Sequence, residues 1–216
     1  MTTRQPPIAI VNPPVSVPQV PSPARGRNAL TIYVGRIREF SRTDWIVYLA
    51  WVGMMAGLAI VSAGFLIVGR NAGAVFPTEA YLLPVGATIF TFAIGVDTIG
   101  HRTIYREVLK GGEALVHHVT IATGIGACVF LIAAYPQRTG LAIIAAVLTA
   151  LSFLYSLIDE AMHWRRYLSR NSDVVEMWSH VFILIGHGTL MAGWWRWYLL
   201  DYAGVAPTLR ALGLAS

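Results

Sequence analysis

Five runs of apolar residues follow Trp45, each near the roughly 20 that an α-helix needs to cross a bilayer. They predict spanning helices at about 45–69, 80–105, 113–135, 140–166 and 175–200. The connections "GRNAGAVFPTE", "REVLKGG", "YPQRTG" and "RRYLSRNSD" carry the charges and the helix breakers. Ahead of the first run, "NALTIYVGRIREFSR" sets Leu30, Tyr33, Ile37 and Phe40 at helical spacing beside Arg36 and Arg38. That pattern suits a short amphipathic helix over residues 28–42, lying in the headgroup layer.

Residues 1–27 hold seven of the eleven prolines, which favours an extended tail and interrupts the apolar core that a signal peptide requires. The expected fold class is therefore an all-α integral membrane protein. Five transmembrane helices fill residues 43–202, the last four form an antiparallel bundle, and residues 203–216 form a short tail on the non-cytoplasmic side.

Composition agrees: the 216 residues are 56% hydrophobic and 12% charged, with mean hydropathy +0.59, which excludes a soluble globule. The net charge of +5 does not point to nucleic acid, because the basic residues lie between spans instead of gathering on one face. One side of the predicted topology holds Arg4, Arg25, Arg27, Arg36, Arg38, Arg42, Arg102, Arg106, Lys110, Arg165, Arg166 and Arg170; the other holds only Arg70, Arg138, Arg196 and Arg210. The positive-inside rule then puts the N-terminus in the cytoplasm and the C-terminus outside, as for a bacterial inner-membrane protein. Trp45, Tyr48, Trp164 and Trp178 fall near the inner interface, and Trp194, Trp195, Trp197 and Tyr198 are expected to form an outer aromatic belt. Cys128, the sole cysteine, reads as a packed thiol.

Against this apolar background one polar pattern recurs in each of the last four helices. Asp97 precedes His101 by four residues, and the same interval separates Glu113 from His117, Asp159 from His163, and Glu176 from His180. Random placement of eleven acids and six histidines would give on the order of 0.3 such pairs. Positions i and i+4 share one helix face, and the alternating helix directions bring all four pairs to one level near the cytoplasmic interface. Asp97, His117, Asp159 and His180 form the deeper layer; His101, Glu113, His163 and Glu176 lie one turn nearer the surface. Ser152 and Ser156 continue the Asp159 face, and His187 continues the Glu176 face more deeply. His118 turns about 100° away from His117, and Glu160 the same from Asp159, so His117 is expected in the cluster and Glu160 in solvent.

First-turn carboxylates at Glu113 and Glu176, and a last-turn cation at His163, fit ordinary helix-dipole roles. Asp97 and Asp159 do not, because each sits near a helix C-terminus beside lipid-length apolar sequence. Mixed carboxylate and imidazole donors on four antiparallel helices suit two metal ions, iron best, with manganese, copper and zinc as alternatives.

The arrangement resembles the ferritin-like di-iron carboxylate proteins in drawing acids and histidines from four helices, although only Glu160 and His163 keep their Glu-x-x-His interval. It is similar to membrane desaturases and alkane hydroxylases in setting such a site at the cytoplasmic edge of spanning helices, without their histidine boxes. "DEAMH" followed by His180 also looks like the Asp-x-x-x-His plus histidine of the C subunit of particulate methane monooxygenase. These resemblances imply an oxygen-dependent oxidoreductase acting on a lipid, hydrocarbon or quinone, with electrons from a partner protein or the quinone pool. Two alternatives stand beside it. One is a haem b electron-transfer subunit, with His187 paired to His118 or His101 as axial ligands. The other is a proton or divalent-metal transporter or a structural subunit of a larger complex.

Overall fold

The computed structural model describes residues 28–105, 112–135, 138–169 and 173–215, with Glu113, Arg138 and Thr139 described by their backbone alone. Among the described residues, seven α-helices follow in order: α1 (Ala29–Gly35), α2 (Arg42–Asn71), α3 (Leu82–Thr103), α4 (Gly112–Ala133), α5 (Arg138–Leu168), α6 (Val174–Leu199) and α7 (Val205–Ala211). All of α2 to α6 are long and apolar enough to cross a bilayer. The proline-rich tail lies outside the described residues.

Local chemistry fixes the helix starts that matter for the site. A capping box opens α2, in which the Ser41 hydroxyl accepts from the Asp44 amide at 3.3 Å and Asp44 Oδ2 accepts from the Ser41 amide at 2.9 Å. Asp44 then receives Nε and Nη2 of Arg102, both at 2.6 Å, which fastens the last turn of α3 to the first turn of α2. At α6, the Asp173 side chain caps Val175 while its own amide donates to the Tyr105 hydroxyl at 3.0 Å. Both ties act on the ends of α3 and α6 that carry candidate residues.

The bundle is built from two close helix pairs, α3 with α6 and α4 with α5, while α2 packs outside α3 and α5 touches α6 less extensively. Lipid supplies no hydrophobic drive for association, so close approach depends on small residues. A Cβ on Gly186 would lie 2.6 Å from the Phe90 backbone nitrogen, and one on Gly193 would lie 2.8 Å from the Glu79 carbonyl oxygen. The glycine at position 186 therefore accommodates a neighbouring helix. Between α4 and α5 the alanines Ala127 and Ala145 do the same work and are wholly buried.

Two expectations need correction at the far end of the bundle. Trp194 and Trp197 do not form a lipid-facing belt; both are buried, and Trp197 packs against Phe65, Phe76 and Tyr202. The expected tail at 203–216 instead contains α7, which docks on α2 with Thr208 buried against Gly69. Gly204, at φ +90°, permits the reversal between α6 and α7, a conformation that a Cβ would strain. The amphipathic segment also differs in detail. Its helix stops at Gly35, a 3-10 turn covers Arg36–Glu39, and Tyr33 is buried beside Ile99 and Val175 rather than lying free in the headgroups.

Candidate metal centre

Antiparallel packing gathers all four paired histidines at one end of the bundle. His101 from α3, His117 from α4, His163 from α5 and His180 from α6 have ring centroids between 3.5 and 6.4 Å apart in every combination. Three of the four are buried and His117 is partly so. Carboxylates interleave with these rings. Asp97 Oδ1 is 3.1 Å from His180 Nε2 and its Oδ2 is 3.3 Å from His101 Nε2; Asp159 Oδ1 is 3.0 Å from His117 Nδ1 and 3.5 Å from His163 Nε2.

Each helix pair thus carries one aspartate and two histidines. The α3/α6 pair contributes Asp97, His101 and His180, and the α4/α5 pair contributes Asp159, His117 and His163. Glutamates cross between the pairs: Glu176 Oε1 on α6 lies 3.1 Å from His163 Nδ1, and Glu160 Oε1 on α5 lies 3.3 Å from His180 Nδ1. The exposed position expected for Glu160 is overturned, since it is 7% exposed and faces α6. In a bilayer the polar side of a helix is its inward side, so adjacent Asp159 and Glu160 both turn inward, toward different neighbours. Glu113's side chain lies outside the described residues.

Donor atoms of His101, His163, His180 and Glu176 all lie within 4.8 Å of one another, and those of His117, Asp159 and His163 form a second such group. His163 belongs to both, yet a neutral imidazole has only one lone pair to give. Its Nδ1 faces Glu176, and its Nε2 faces Asp159. That orientation assigns His163 to the second group and leaves Glu176 as an acceptor behind the ring. Arg166 Nη2 also reaches His163 Nδ1, at 2.9 Å. Arginine can only donate, so this contact would put the proton on Nε2, whereas the Glu176 contact leaves Nε2 free to ligate.

The electrostatics narrow the chemistry. Asp97, Asp159, Glu160 and Glu176 bring four carboxylates to a site where, among the described residues, Arg166 supplies a nearby guanidinium. Burying an unbalanced ion costs several kcal/mol, so histidine protonation or bound cations must offset the excess. Protonated imidazoles would donate along aligned hydrogen bonds. Instead His101 Nε2, His117 Nδ1, His180 Nε2 and Asp159 Oδ1 are buried without an aligned hydrogen bond, although each lies at ion-pair distance from a partner. Donors close together but not aligned with one another are compatible with a shared cation.

Other sequence candidates fall elsewhere. His118 is exposed, with Nδ1 2.5 Å from the Ala114 carbonyl of its own helix. His187 is buried, stacked 4.3 Å from the Phe153 ring and 6.0 Å from Phe90, with Nε2 3.3 Å from the Ser152 hydroxyl. An interhelical hydrogen bond occupies the His187 nitrogen that an axial haem ligand would need. Likeness to the methane monooxygenase subunit would join Asp159, His163 and His180. His180 is 3.8 Å from Asp159, while His117 is closer at 3.0 Å.

Sequence reasoning passed over Tyr33. Its ring is 2% exposed against Gly100, one residue before His101, and its hydroxyl has no hydrogen-bond partner among the described residues. Burial first, then the charges of Asp97 and Glu176, push its phenol above the ordinary value. In the sequence, Tyr33 carries no signal beyond its place on a helix face. Compared with known protein families, characterised proteins and solved structures, the chain matches none.

Proposed function

We propose that the protein is an integral-membrane, metal-dependent oxidoreductase of the hydroxylase or oxidase type, with two metal ions held at the cytoplasmic end of the α3–α6 bundle. The observation that carries this reading is the pairing of two Asp–His–His triads, one on each helix pair, with donor atoms close together but not aligned for hydrogen bonds. One carboxylate and two imidazoles with open positions is the donor set of non-haem iron(II) oxygenases, so iron suits best, ahead of manganese, copper or zinc. Asp97, His101 and His180 would hold one ion, and Asp159, His117 and His163 the other. Glu160 and Glu176 would fix ring orientation through the second nitrogen of His180 and His163.

When bound, such ions would supply electrons to dioxygen, and the protein's own residues would keep the site dry, hold the imidazoles as neutral donors and neutralise charge. A lipid, hydrocarbon or quinone would enter from the bilayer, and electrons would come from a partner protein or the quinone pool. The positive-inside count supports a cytoplasmic N-terminus and hence a cytoplasmic-side centre, with the C-terminus outside. Metal analysis of purified protein, with its absorption spectrum, tests the reading. The expected result is two transition-metal ions per chain and no haem band, with Asp97→Ala and Asp159→Ala each losing one ion. Stoichiometric haem, or full metal retention by both variants, would overturn it.

A further inference from the structure

The lipid-facing surface between α1, α3 and α6 is indented by a groove of about 640 Å³, within the roughly 300–1,000 Å³ typical of ligand pockets. Its walls include Leu30 of α1, Phe92 and Val96 of α3, and Trp178 and Phe182 of α6. Phe92 is 74% exposed and Trp178 59%, so the mouth opens sideways among the side chains that meet lipid. Along α6 it runs from Val174 to Phe182, about 12 Å at 1.5 Å per residue. Its length follows the helix from the bundle end toward the bilayer interior.

What separates the groove from an ordinary surface dent is Ser179. This lining residue is buried, and its Oγ lies 3.5 Å from Asp97 Oδ1, which in turn lies 3.1 Å from His180 Nε2. An apolar channel open to the leaflet therefore ends one hydroxyl away from the carboxylate shared by His101 and His180. Aromatic and aliphatic walls set the chemistry of what fits. A quinone head needs hydrogen-bond donors for two carbonyls, whereas Ser179 already gives its hydroxyl to the Glu176 carbonyl at 2.7 Å, which leaves the Asn28 amide and the indole N–H of the exposed Trp178 as the side-chain donors of the lining. An aliphatic chain needs none.

We infer that this groove binds the single aliphatic chain of a bilayer amphiphile and presents it at Ser179 to the Asp97 side of the centre. The inference rests on the functional reading above and names its substrate class. Approach from the leaflet requires no solvent path, and it places the chain beside the α3/α6 triad and away from the α4/α5 triad.

Photolabelling of the full chain in lipid nanodiscs, with a fatty acid carrying a mid-chain diazirine, tests it. Adducts are expected on Phe92, Val96, Trp178 and Phe182, and Ala93→Trp, at the groove floor, should lower them by roughly tenfold, a cost of about 1.4 kcal/mol in binding. Val96→Phe provides a milder filling variant should the tryptophan prevent folding. Metal content of both variants should equal that of the unmodified protein, while His180→Ala should lose metal and keep its adducts. Equal labelling of the lipid-facing Ile60 and Val61 of α2, adducts undiminished in a folded filling variant, or displacement by an isoprenoid quinone but not by fatty acid would overturn the groove. Full metal retention by His180→Ala would overturn the metal assignment and leave the groove standing.

Discussion

Glu160 gives the sharpest separation between residues that would hold a metal and residues that would orient a ligand. Its Oε1 lies 3.3 Å from His180 Nδ1, on the far side of the ring from the Nε2 that faces Asp97. Replacing such a partner of a metal-bound histidine lowers metal affinity by about 10–100-fold, or about 1.4–2.7 kcal/mol. The contact is at the long end of the hydrogen-bond range, which places Glu160→Gln near the lower figure because the amide oxygen still accepts from Nδ1. Glu160→Ala removes both the acceptor and one of the four carboxylates of the site, and belongs near the upper figure. Competition between the protein and a chelating fluorophore for iron(II) or manganese(II) measures the difference directly, and melting of the metal-free variants checks that the fold is kept. Both sites are expected to stay occupied, with the Asp97, His101 and His180 site weakened. Loss of one full equivalent in Glu160→Gln would make Glu160 a ligand, and unchanged affinity in Glu160→Ala would remove it from the centre altogether; either result refutes the assignment.

Removing the metal by chelation should lower the melting temperature in detergent, because the carboxylates then face one another with less compensation; an unchanged melting curve would argue for a polar network that needs no ion. Gly186→Leu should prevent stable α3/α6 packing, since even a Cβ meets the Phe90 backbone at 2.6 Å; normal yield and metal content would contradict the tight crossing. Tyr33→Phe deletes a buried hydroxyl without a partner and should leave stability unchanged or raise it by about 1 kcal/mol at neutral pH. Its pH dependence has a definite sign. The folded phenol stays neutral above the unfolded value of about 10, so its contribution is complete below that pH and is lost as pH rises further. Thermal melts at pH 8 and pH 11 should therefore show a smaller alkaline loss in Tyr33→Phe, and an equal loss would count against burial of the hydroxyl.

Much of the site was legible because lipid makes the sequence unusually explicit. An ionisable residue in a long apolar run must turn inward, and the four-residue interval fixes which of its neighbours turn with it. Helix periodicity did not reveal the partners. Whether Asp159 meets His117 or His180 depends on which helices pack closely, and that choice is made by Gly86, Gly186 and Gly193 on one side and by Ala127 and Ala145 on the other. Glu160 escaped for a related reason. A rotation of about 100° carries a residue to solvent on a half-buried surface helix, but within a bundle it carries it to the next helix. Trp194 and Trp197 show the limit of the interfacial-belt rule, which assumes that aromatic residues near a span's end meet lipid. On α6 the Trp197 ring meets Phe65 of α2, Phe76 and Tyr202 instead.

The order of acids along the chain carries a further step. Aspartate precedes histidine in α3 and α5, glutamate precedes histidine in α4 and α6, and α3–α4 and α5–α6 therefore carry the same order of Asp, His, Glu and His. Antiparallel geometry explains the division. Aspartate is the deeper member of its Asp/His pair, one turn before the histidine, and both aspartates lie within 3.5 Å of two histidine nitrogens. Glu176, one turn nearer the bundle end, spans from α6 to the outer nitrogen of His163 on the other helix pair. The reach of a glutamate suits a link between pairs, and the shorter aspartate suits a donor within one. A duplicated hairpin would then build two equivalent ion positions at once, with each pair supplying the donors of one position and the glutamates holding the two pairs in register.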